Sequence, residues 1–149
     1  MNAPPAGAPP ARARLIIGIV ASALLVLSSA AHSILGAMQM EAEFAKAGVP
    51  DDLALGLRAG WQFGGAAMLV FGLIGLDAFV GRLRGRAVPL RPVLLTAVMY
   101  LLFGAWALAM SGFDPFFSVF VVPGVLLLAA AWPRACACVR TSRCRSATC

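Results

Sequence analysis

His32, the only histidine, is the residue best suited to proton or ligand chemistry, and it lies inside an uncharged run from residue 15 to residue 40. An imidazole changes charge near neutral pH and can ligate haem. Within an apolar helix it has three uses: an interhelical hydrogen bond worth about 0.6–2 kcal/mol, a proton relay or quinone contact, or a haem ligand. Bis-histidine haem needs a second imidazole, which a homodimer alone could supply. The interhelical bond is the expected role.

Gln62 sits near the outer boundary of the second apolar run, within reach of a neighbouring helix. Asp77 is the one acid away from the outer loops. Arg82 and Arg84 follow it closely, so its carboxylate should pair with them or snorkel to the interface. His32, Gln62 and Asp77 are thus the candidate ligand or proton-handling residues. With the acidic first loop, the first two outline an outward-opening polar pocket between the first two helices.

Cys136, Cys138, Cys144 and Cys149 follow a C-x-C-x₅-C-x₄-C pattern, which fits zinc's usual C-x₂₋₄-C pairs poorly. No metal and no cofactor is expected. There is no P-loop, G-x-G-x-x-G, H-E-x-x-H or G-x-S-x-G, so hydrolytic and phosphoryl-transfer readings lack a starting point, and no catalytic residue is assigned.

The elements that must position these residues are helices in a membrane. The 149 residues are 61% hydrophobic and 12% charged, with a mean hydropathy of +0.89. A soluble domain of this size cannot hide that much apolar surface. The expected fold is an all-α integral membrane protein, a four-transmembrane-helix bundle with disordered N- and C-terminal tails. Spans are expected at about 15–38, 57–80, 92–111 and 115–132, within a transmembrane domain covering 14–133. Residues 1–13 form a Pro/Ala-rich tail and residues 134–149 an Arg/Cys-rich one.

The second span is expected to be the hub. Gly56, Gly60, Gly64, Gly72 and Gly75, with Gly65, fall within about half of its helical wheel. Such glycines weaken a helix in water but allow close backbone approach in lipid. Thr96, Tyr100, Gly104, Ala107 and Ser111 form a similar stripe on the third span, where a mid-membrane Tyr100 hydroxyl should find an acceptor. Trp61, Trp106 and Trp132 are expected as interfacial anchors. Gly48 and Gly112 read as helix stops, Asp51 and Asp114 as N-caps, and Pro123 as a kink. A basic start followed by Ser28, Ser29, Ala30 and Ala31 also suits a cleavable signal peptide. The apolar run continues past any cut, however, and a retained helix is expected.

Net charge is +6, yet the arginines flank apolar runs rather than forming one polar face, so nucleic acid is not an expected partner. Ten of the twelve Lys and Arg residues lie before the first span, in the 82–91 loop or in the tail. Five of the six acids lie on the other side. By the positive-inside rule both termini are cytoplasmic, in a bacterial-type inner membrane. The expected function is that of a small structural or accessory subunit, packing through glycine faces with a second copy or a larger membrane complex. The alternative is a small-molecule or proton binding or transport module using His32 and the outer loop. A quinone or haem redox component ranks third.

Overall fold

The computed structural model describes residues 11–133, all-helical in their regular structure. Helix α1 (Ala11–Ala31) passes through a π-turn (His32–Gly36) into α2 (Ala37–Ala47). Then come α3 (Asp51–Leu83), α4 (Arg91–Met110), a 3-10 turn (Pro115–Phe117) and α5 (Ser118–Ala131). Three continuous helices, Arg12–Ala47, Asp51–Leu83 and Arg91–Met110, are long and apolar enough to cross a membrane, while Pro115–Ala131 is apolar and shorter. The helix starting at Ala11 takes in residues 11–13, expected in the tail; residues 1–10 and 134–149, with all four cysteines, lie outside the described residues.

Local sequence sets the turns. Gly48 closes α2 at φ 62°, a left-handed conformation that costs a glycine nothing, and Gly112 adopts φ 68° beyond α4. Asp114 accepts from the Phe116 amide at 2.9 Å, capping the 3-10 turn. Asp51 does not cap α3. Pro50 occupies that position in an extended conformation, its carbonyl accepting from the Ala54 amide. Asp51 and Asp52 therefore stand in the first turn, where their charge favours the positive helix end. α5 continues through Pro123 as one helix.

The hub is α1, not α3. α1 packs along α3 on one side and α5 on another, α4 packs mainly on α5, and α3 meets α4 only lightly. The α1/α3 seam is antiparallel and made of small groups. Gly18 lies under the Phe79 ring, Ser22 against Gly75, Val26 against Gly72, and Gly36 against Trp61. The Ser29 hydroxyl donates to the Gly65 carbonyl at 2.8 Å. Ala54, Arg58, Trp61, Gly65, Gly72, Gly75 and Phe79 lie on this seam at heptad-like spacing, as in left-handed helix pairs. Gly56 and Gly60 do not share the packing expected of them. Both are exposed, and a Cβ on either would meet nothing within 4 Å. A four-residue ladder drifts off a seam of average spacing near 3.5, so Gly64 is only half-buried beside His32.

On α4, Gly104 packs against Phe120 and Val121 rather than against the glycines of α3. The core joins Leu25, Phe79, Val93, Ala97, Tyr100 and Leu127 from four helices. At the end where α1 begins, the Arg14 guanidinium donates to the Ala129 and Trp132 carbonyls at 2.7–3.2 Å, satisfying the open carbonyls that end α5.

Candidate functional site

His32 opens the π-turn, a wide turn that disturbs the regular i→i−4 ladder. Its ring stacks on Trp61 with centroids 4.2 Å apart and planes 10° from parallel. Its Nε2 donates to the Trp61 carbonyl (3.1 Å), and Trp61 Nε1 donates back to the His32 carbonyl (2.9 Å). A carbonyl only accepts, so Nε2 carries a proton here. One residue along, Gln62 Nε2 donates to the Ser33 carbonyl at 3.2 Å. His32 and Gln62 are thus brought together, each bonded to a backbone carbonyl across the contact between the first two long helices.

Trp61, which the sequence marks only as an interfacial anchor, is half-buried and supplies half of this clasp. Its position beside Gln62, at the depth of His32, is the signal that could have found it. Asp77 is not part of the arrangement. It lies 15 residues from Gln62, about 22 Å along α3, exposed and paired with Arg86 at 2.7 Å. Arg82, one of its expected partners, instead donates to the Val88 carbonyl at 2.7 Å.

Above the clasp, the Arg58 guanidinium makes a two-pronged ion pair with Glu41, whose second bond is 2.8 Å. Glu41 lies beyond the uncharged run, and this hydrogen bonding holds its carboxyl below the usual carboxylate value. No group of three or more metal-ligating side chains occurs among the described residues.

Where α3 and α4 meet lightly, a cavity of about 220 Å³ remains, bounded by His32, Met68, Phe71, Met99, Tyr100 and Phe103. Tyr100 is 3% exposed, and its hydroxyl was expected to find an acceptor. Among the described residues it has none, because the rings of Phe71 and Phe120 flank it with no acceptor. Comparison with protein-family models, curated proteins and solved structures returned no match for this chain.

Proposed function

We propose that this is a small, non-enzymatic accessory subunit of a bacterial-type inner membrane, crossing four times with both termini cytoplasmic. Three helices already have the length and apolarity to cross. Connectivity supports a fourth crossing, since α5 returns from the end where α4 stops to the end where Arg14 holds its last carbonyls. Its 3-10 turn and helix rise about 27 Å together, close to a ~30 Å hydrocarbon core. Arg14, Arg82, Arg84, Arg86 and Arg91 gather at one end and Glu41, Glu43, Asp51, Asp52 and Asp114 at the other, which supports the cytoplasmic placement of the basic end. The central position of α1 supports a retained first helix.

The observation that carries the accessory reading is the outer end of the α2/α3 hairpin. The 33 residues of α3 span about 50 Å, well beyond the hydrocarbon. Its first turns project outward with Leu53, Leu55 and Leu57 exposed beside Gly56. Exposed leucines around an uncovered glycine offer a surface for another helix. The occupant is a helix of a second copy or of a larger membrane complex.

Native mass spectrometry from mild detergent tests this. Wild type should appear as a defined multiple of 15.5 kDa or with a co-purifying membrane protein. Gly56→Leu combined with Gly60→Leu should release the lone chain without lowering its melting temperature, because a Cβ at either position meets nothing within 4 Å among the described residues. A wild type that is monomeric and alone in native membranes would sink the reading.

The cavity favours one second reading, a small apolar ligand carrying a single hydrogen-bond acceptor. Tyr100→Phe separates the two. Without a ligand, removing a buried unpaired hydroxyl should leave stability unchanged or raise it by about 1 kcal/mol in a thermal melt. A loss of stability, together with loss of a co-purifying small molecule, would favour the binding reading.

A further inference from the structure

The basic end of the bundle contains a cleft of about 790 Å³ where the start of α1, the end of α3, the start of α4 and the end of α5 converge. Arg14, Arg82, Arg86 and Arg91 stand around it, and its floor is apolar, including Leu15 and Leu94. Three of these guanidiniums are already held in place: Arg14 by the α5 carbonyls, Arg82 by the Val88 carbonyl and Arg86 by Asp77. Each retains N–H donors beyond those bonds, since a guanidinium carries five. Arg91 is exposed and makes no hydrogen bond or ion pair among the described residues. Among the described residues Asp77 is the only carboxylate bonded to any of the four, so it leaves most of their positive charge unpaired there.

We propose that this cleft binds one anionic phospholipid, with its phosphate among the four guanidiniums and its acyl chain over Leu15 and Leu94. Fixed guanidiniums suit a phosphate because their paired N–H groups match its oxygens, and little ordering remains to be done on binding. A free phosphate would satisfy the charge but leave the apolar floor bare. The cleft also lies at the helix ends, where lipid phosphates sit, with Trp132 exposed at its edge. The inference rests on the membrane-crossing reading above.

The test uses the full chain reconstituted into phosphatidylcholine vesicles, then released and titrated with phosphatidylglycerol under native mass spectrometry. The expected result is one phosphatidylglycerol retained per chain, about tenfold more tightly than phosphatidylcholine. Arg91→Gln, which breaks no bond within the described chain, should remove most of that preference while leaving the basic tail intact. Arg82→Gln should do the same, and circular-dichroism melts confirm that both variants fold. Equal retention of the two lipids, or an unchanged preference in both folded variants, overturns the proposal. Displacement by millimolar inorganic phosphate identifies a free-phosphate site and also overturns it. Failure to enter phosphatidylcholine vesicles removes the membrane reading itself, and the lipid site with it.

Discussion

Gly72→Leu will pull α1 away from α3 and destabilise the bundle more than any other single substitution on that seam. A Cβ at position 72 would lie 2.7 Å from Val26 Cγ2 and 3.0 Å from both the Ser22 carbonyl oxygen and the Val26 amide nitrogen. Two of those atoms belong to the α1 backbone, so no change of rotamer relieves the crowding. The helices must part, and parting them weakens the adjoining contacts at Gly65 and Gly75. Overpacking in a tight core typically costs about 1–3 kcal/mol, and a backbone clash should reach or pass the upper end. Gly75 offers the control: there the Cβ meets the Ser22 hydroxyl, which is bonded to the Gly18 carbonyl at 2.7 Å. Gly75→Ala combined with Ser22→Ala should therefore recover part of what Gly75→Ala alone loses. Thermal melts in one detergent, followed by helical circular dichroism, give both comparisons. Wild-type stability for Gly72→Leu would mean that the α1/α3 seam is not packed as described.

The same seam shows what could be read in the chain and what could not. Apolar run lengths, the left-handed glycine stop at Gly48 and the Asp114 cap depend on local chemistry, and all were legible in advance. The glycine face was legible only in part. Gly65, Gly72 and Gly75 reach α1 while Gly56 and Gly60 do not, because membership is decided by the pitch at which two helices wind past one another. A wheel drawn for one helix lacks that information. The hub was misplaced for a related reason. Glycine density in α3 reports how closely something approaches it, and a single close neighbour suffices, whereas α1 touches two helices with serines, alanines and a few larger residues. Trp61 and Tyr100 show the limit for the site itself. One acquires polar partners and the other loses its expected acceptor according to which backbone lies opposite, and that is a tertiary fact.

His32→Ala should produce the second large effect, at the clasp between α1 and α3. The substitution removes the Nε2 bond to the Trp61 carbonyl and the ring on which Trp61 is stacked. Interhelical hydrogen bonds in membranes average about 0.6 kcal/mol, and aromatic pairs contribute about 0.5–1.5 kcal/mol beyond their buried area. A loss of roughly 1–2 kcal/mol is expected, with stacking as the larger share. His32→Phe separates the two contributions, because it keeps a ring for Trp61 and removes only the hydrogen bond. It should lose about half as much or less in the same melt. The Trp61 bond to the position-32 carbonyl does not depend on side-chain identity, so tryptophan fluorescence should report an ordered indole in His32→Phe and a more solvated one in His32→Ala. The comparison also bears on function. If His32 is a fastener, His32→Phe will keep any association seen in native mass spectra, since the outer leucines are untouched. If His32 handles protons or a ligand, Phe will fail as completely as Ala in a pH-dependent activity while both variants remain folded. That outcome would move the protein from accessory subunit to binding module, with the cavity beside His32 as the place to look for its ligand.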